Sequence, residues 1–248
     1  MPQTTLGGAS LRIAFTLVIV LAGKFACLPV APNGTALCQS LHMIAAVFFG
    51  LRSAQPPYGP HASEPTPQWR SLAPVEQLHA GLMAIMKAGK TASFRQRYEM
   101  IAPIIGRTFD LDTILRQTIG ARWTGLPADQ QTALEDAFQR YMIASYVANF
   151  EGYSDERFEI APVVRPAGHD RIVETRIVTA SGQAHVLDYV MRQAGGGWKV
   201  VDVLADGVVS RVAAQRSEMR SVLTDAGGAG LLVSLRQKTA QLSGGILQ

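Results

Sequence analysis

The side chains best placed for chemistry are Glu174, Arg176, Asp188 and Asp202, which fall in neighbouring strand-like segments. Two carboxylates facing one another across a cleft could serve as acid and base in a hydrolysis. Along a strand, however, alternate residues face opposite sides, and polar residues at that period go to solvent as cross-strand ion pairs. The structural reading is preferred for these four. Asp202 stands apart, because it could instead cap a helix beginning near Gly207 or tie down the helix that carries Arg216. The histidines are His42, His61, His79, His169 and His185. No two of them sit at i, i+4, and both cysteines, Cys27 and Cys38, lie near the N-terminus. No metal site and no cofactor are expected on that ligand count. His169 and His185 could approach across a hairpin, but solvated turn and strand residues are the simpler reading.

Short glycine motifs add no catalytic signal. Gly89-Lys90-Thr91 ends like a phosphate-binding loop, but the glycine required five residues earlier is Ala84. Gly152-Tyr153-Ser154-Asp155-Glu156 begins like a nucleophile elbow and ends in Glu156 where glycine is needed. Gly195, Gly196 and Gly197 read as a hairpin turn. The chain is not expected to be an enzyme.

The elements that would position these residues can be read from periodicity. Pro74 suits a first helical turn, and Val75, Leu78, Leu82 and Ile85 follow at helical steps up to Gly89. A second helix starts near Ser93, with Pro103 bending or closing it. A short third one follows Asp110. Pro127 opens the longest helix, with Leu134, Phe138, Tyr141 and Ser145 on one side. After Gly152 the period changes to that of strands, expected at residues 158–164, 170–179, 184–193 and 198–205. Two further helices close the chain, separated by Gly227, Gly228 and Gly230. Four helices, four strands and two helices describe an α+β fold, with helices packed on one face of a four-stranded antiparallel meander. A twisted sheet roofed in this way leaves a cone-like wedge, and any part not filled by side chains is an apolar cavity. Leu78, Leu134 and Val203 are read as core. Phe94, Ile101, Ile114, Leu115, Trp123, Tyr141, Tyr189, Met191 and Leu204 either line that cavity or fill the core.

Charge excludes one class of partner. The net charge is +4 and the pI about 9.3. Yet 19 of the 23 basic residues and 18 of the 19 acidic ones lie from Ser71 onward. That part is near neutral and carries no basic stripe, so nucleic acid is not expected. The segment LRIAFTLVIVLAG from Leu11 to Gly23 has the form of an export signal and is short for a membrane span. Residues 1–54 are therefore read as a leader, cleaved or retained as an anchor. The Pro-rich stretch 55–72 is read as a linker and 73–243 as the folded domain.

Residues 195–242, GGGWKVVDVLADGVVSRVAAQRSEMRSVLTDAGGAGLLVSLRQKTAQL, carry Trp198, Lys199, Asp202, Gly207, Arg216, Gly227 and Leu231 in one order. Together with HVLDYVMR around Tyr189 and the helical stretch 109–160, they resemble the MlaC-type periplasmic lipid-binding proteins. The pattern is most similar to the hopanoid-associated HpnM branch and covers roughly Pro74 to Leu242. Asp155 stands where relatives often have glycine, and Ala128 replaces a small capping residue. The resemblance implies a periplasmic carrier that shelters the acyl or polycyclic part of a phospholipid or hopanoid-like lipid. It implies as partners an inner-membrane MCE/ABC lipid transporter and an outer-membrane lipoprotein complex. An enzyme acting on a lipid-like substrate and an adaptor that carries nothing are the competing readings.

Overall fold

A computed structural model describes residues 69–247, so the expected leader and most of the expected linker lie outside the described residues. Helix α1, Trp69–Ala88, buries Val75, Leu78, Leu82 and Ile85 completely. It starts five residues before Pro74, which therefore sits inside the helix and not in its first turn. Residues 69–72, assigned to the linker from sequence, are helical. The missing proline N–H costs one helical bond, while the Pro74 carbonyl accepts from Thr108 Oγ1 at 3.4 Å. Gly89 adopts φ +47° and ends the helix.

Helix α2, Phe94–Thr108, starts at a reciprocal cap. Ser93 Oγ accepts from the Gln96 N–H at 3.2 Å, and Gln96 Oε1 accepts from the Ser93 N–H at 2.8 Å. Pro103 does not close this helix. It lies on the exposed side, and the helix runs on to Thr108. Helix α3, Leu111–Ile119, is capped by Asp110, whose carboxylate accepts from the Thr113 N–H at 3.1 Å. A 3-10 turn, Gly120–Gly125, holds Trp123 and leads to α4, Ala128–Asn149. Gln131 bridges back over that junction and donates to the carbonyls of Trp123 and Leu126 at 3.1 and 2.9 Å.

The sheet contains β1 (Arg157–Ile160), β2 (Arg165–Ala167), β3 (Asp170–Val173), β4 (Thr175–Val178), β5 (Ala184–Ala194), β6 (Gly197–Ala205) and β7 (Val209–Ser210). Strands occur in all four expected regions, but the first ends at Ile160 and not at Val164, with β2 beyond it as a separate strand, and the second is broken at Glu174 into β3 and β4. β1 pairs with β4 and β2 with β3; both β3 and β4 pair with β5, and β5 pairs with β6. All these pairings are antiparallel, so the meander order holds.

The break at Glu174 has a cause that corrects the reading of Asp188. The Glu174 carbonyl accepts from the Ala161 N–H at 2.9 Å. Next to it the Thr175 N–H donates to Asp188 Oδ1 at 3.1 Å, and Thr175 Oγ1 donates to the Leu187 carbonyl. Asp188 is therefore buried and serves the backbone; it is not a solvent-face ion-pair partner. Burial raises its pKa and the Thr175 hydrogen bond opposes that rise. The cross-strand ion pairs among the described residues are Arg165–Glu174 at 2.9 Å, Arg176–Glu159 at 2.6 Å and Arg192–Asp170 at 2.7 Å. His169 lies beside Asp170, at the end of β3 opposite Met191 and Arg192, whereas His185 opposes Ile177. The two histidines are at opposite ends of β5.

The two closing helices form one element, α5 (Arg211–Leu242), kinked at Gly227. Gly227 takes φ +62° and ψ −162°, a region open to glycine and strained for any other residue. At Gly228 a Cβ would meet Gln130 Oε1 at 2.5 Å and Leu126 Cδ2 at 3.0 Å, so the kink lets α5 pass closely over the start of α4. Gly227→Ala is expected to destabilise the fold by about 1–3 kcal/mol, measured by urea denaturation. An unchanged midpoint would mean that the kink carries no strain.

Helices pack on the sheet face presented by Val173, Ile177, Leu187, Tyr189, Met191 and Val200, which share one core with the helical stripes. The α2–α3 corner is stitched to the sheet by a parallel bridge from Phe109 to Val200 and by the Asp110 N–H, which donates to the Val200 carbonyl at 2.9 Å. That contact holds the roof at one end. Beyond it, sheet and helices enclose a space.

Candidate functional site: an apolar cavity under the helical roof

The cavity is built first by α4. Tyr141, Met142, Ser145, Tyr146, Asn149 and Phe150 all line it, at spacings that place them on one helical face. The sheet supplies Ile177 from β4, Leu187 and Tyr189 from β5, and Val203 and Ala205 from β6. Phe109 and Ile114 come from the α2–α3 corner, and Arg211, Val212 and Gln215 from the first turns of α5. The empty space, mouth included, is about 1230 Å³, of which about 110 Å³ can hold the centres of water molecules. It is a slot with a mostly apolar lining, not a wide chamber.

Aromatic rings form an unbroken series along it. Phe109 meets Tyr146 at 5.5 Å, Tyr146 stacks on Phe150 at 6.0 Å, and Phe150 meets Phe158 at 6.2 Å. Behind Phe158 lies His79 at 4.7 Å, and beyond it Tyr189 at 5.7 Å. Such rings offer large apolar area with polar tips. Burial raises the phenol pKa of Tyr141, Tyr146 and Tyr189, because it penalises the charged phenolate. All three therefore stay neutral.

Polar groups gather at one end of the sheet. Glu156 immediately precedes Arg157, which opposes Val178; His185 opposes Ile177; and the Asp206 N–H donates to the Val186 carbonyl at 3.0 Å. Both oxygens of Asp202 are engaged by the backbone and side chain at the start of α5. Oδ1 accepts from the N–H groups of Val203 at 2.7 Å and Val212 at 3.1 Å, and Oδ2 accepts from Ser210 Oγ. It thus caps the start of α5, one of the two roles considered for it. Arg216 is not its partner and instead donates to the Gln117 carbonyl at 2.9 Å. Burial depresses the pKa of Arg211, which sits among Tyr146, Tyr141 and Asp202. Among the described residues, no group of three His, Cys, Asp or Glu could hold a metal ion.

Of the residues proposed from sequence to line the cavity, Ile114, Tyr141 and Tyr189 do line it. The other six lie elsewhere. Phe94 is half-buried at the start of α2, with the Arg97 guanidinium 6.0 Å from its ring centre. Ile101 packs under Gly81, where the missing side chain leaves room for it and Ile104 against α1. Leu115 and Met191 are fully buried core. Trp123 is covered by Arg116 at 5.7 Å. Leu204 is half-buried and opposes Asp188 and Ser210. Val203, read as core, faces the cavity instead. Tyr146, whose polar-tipped ring suited a pocket wall as well as a core, also lines it, whereas Phe109, Met142, Phe150, Glu156 and Arg211 were not named as lining residues. Phe150 carried a usable signal: it stands four residues after Tyr146, at the end of α4.

Comparison with known proteins settles the family. The family model described as MlaC protein matches residues 76–237. The chain belongs to the MlaC family. A solved structure with the same fold is the phospholipid-binding protein from Ralstonia solanacearum, determined in complex with a phospholipid. It is 21% identical, covers 70% of this chain and 98% of its own, and gives a TM-score of 0.61. No match was found among curated proteins. The MlaC match takes in α2, α3, α4 and the whole sheet, and so every cavity-lining residue named above. Within it, Asp155 adopts φ +63°, a backbone conformation natural to glycine.

Proposed function

We propose that this MlaC protein is a periplasmic lipid carrier, sheltering the hydrocarbon part of one lipid in the slot between sheet and roof. The observation that carries the reading is the apolar cavity itself, walled by Phe109, Tyr146, Phe150 and Tyr189 in a chain of this family. Each methylene moved from water into such a slot contributes about 0.8 kcal/mol, so no chemistry is required for holding or release. The relative from Ralstonia solanacearum holds a phospholipid, which supports the same class of ligand here. A phospholipid or a hopanoid-like lipid is the cargo, and an inner-membrane MCE/ABC transporter the partner that loads or unloads it. No described helix is long and apolar enough to cross a membrane, in keeping with a domain that moves between membranes. Binding is favoured over catalysis because Asp202 is committed to capping and Asp188 to the strand break.

The test is extraction of gently purified protein followed by mass spectrometry. About one lipid per chain is expected, and its identity separates phospholipid from hopanoid. Protein that repeatedly arrives empty, and takes up none from vesicles, would overturn the carrier reading.

A further inference from the structure

The cavity carries polar capacity that the fold itself does not use. Glu156 Oε1, His185 Nε2 and Arg211 Nη2 are buried without a hydrogen-bond partner, and all three residues line the slot. Glu156 is only 1% exposed. Its other oxygen is fixed by the Ser154 N–H at 2.6 Å, which holds the carboxylate in place. Other polar side chains on the wall make hydrogen bonds within the protein: Asp202 accepts at the α5 cap, Ser145 donates to the Tyr141 carbonyl, and Gln215 donates to Met142 Sδ. Buried polar groups in proteins are nearly always paired, so three unpaired ones on a single cavity point to a ligand that pairs them.

Their types define its chemistry. Arg211 can only donate, and its fork suits an anionic oxygen. Glu156 as a carboxylate can only accept, so it requires an N–H or O–H donor. His185 can do either. On the carrier reading above, we infer that these three cavity-lining groups recognise a zwitterionic head group: a phosphate oxygen on Arg211 and a protonated primary amine on Glu156, with the tails in the aromatic slot. An anionic head group brings no cation to Glu156: phosphatidylglycerol can offer its hydroxyls, but only as neutral donors, which bind a carboxylate more weakly than an ammonium does. A quaternary ammonium satisfies charge but offers no N–H.

The experiment offers the full, delipidated protein an equimolar vesicle mixture of dioleoyl phosphatidylethanolamine, phosphatidylcholine and phosphatidylglycerol. Bound species are counted by native mass spectrometry. Phosphatidylethanolamine should be enriched at least about fivefold over each of the others. Glu156→Gln should abolish the enrichment, leaving the three lipids bound in proportion to supply. Arg211→Gln should lower total uptake, and Arg211→Lys, which keeps charge without the fork, should fall between. The wild-type competition alone decides the matter if a variant fails to fold. Uptake in proportion to supply, or enrichment retained in Glu156→Gln, overturns the head-group inference and leaves the carrier reading standing. Wild-type protein that binds none of the three lipids overturns both.

Discussion

Lowering the pH from about 7 to about 4 should cost the folded domain about 3 kcal/mol through His79 alone. His79 is 6% exposed, wedged between Phe158 and Tyr189, and neither ring nitrogen has a partner. Burial alone pulls its pKa from 6.5 to about 4. The unfolded chain takes up a proton near 6.5 and the folded one only near 4. Between those values the unfolded state binds more protons, so stability falls as pH falls, and below about 4 the loss is complete. Asp188 works in the opposite sense. Burial raises its pKa, so the folded state gains on protonation as pH drops. His79→Leu removes the first effect and keeps the second. The measurement is the free energy of urea unfolding for both proteins at several pH values between 7 and 4. The wild-type curve should drop relative to the variant by about 3 kcal/mol across that range; parallel curves would show that His79 meets a proton partner in solution. Tyr189, one wall of the cavity, packs directly on this ring, so the same titration loosens the site from behind.

The elements were legible because each repeats a pattern at its own period. The stripe Leu134, Phe138, Tyr141 and Ser145 is buried as read, and the meander follows from its turns. What periodicity could not show is whether a buried face meets another side chain or empty space, since both conditions select the same residues. Leu115 and Ile114 are adjacent on α3, and both are buried; only Ile114 borders the cavity. Val203 and Leu204 were assigned in the reverse sense for the same reason. The charged members were hidden by a sound rule applied where it fails. Glu156 and Arg211 stand at the starts of a strand and a helix, where charge ordinarily faces water. Glu156 is buried and Arg211 half-buried by the tertiary packing of the cavity wall, which no local pattern displays. Asp188 is similar: nothing local announces that a partner strand breaks at Glu174 and leaves the Thr175 N–H to be satisfied.

Filling the slot tests whether tails lie where the geometry places them, and Val203→Trp is the substitution with the largest expected effect on binding. Val203 lies on β6 opposite Tyr189 and is half-buried, with its side chain on the cavity wall. An indole there would occupy the room of about four methylenes, and excluding them forfeits about 3 kcal/mol of transfer free energy. Affinity for a fluorescent phospholipid should therefore fall about 100-fold. Because the ring enters open space, stability should change by less than about 1.5 kcal/mol, whereas the same insertion into a filled core strains it by about 1–3 kcal/mol or more. The two readouts separate the alternatives. Lost binding with retained stability supports a hollow slot that holds tails. Heavy destabilisation indicates an interior already packed with side chains, and unchanged affinity places the lipid elsewhere. Val233→Trp, on the exposed side of α5 at 52% exposure, adds the same ring outside the cavity and should leave affinity unchanged.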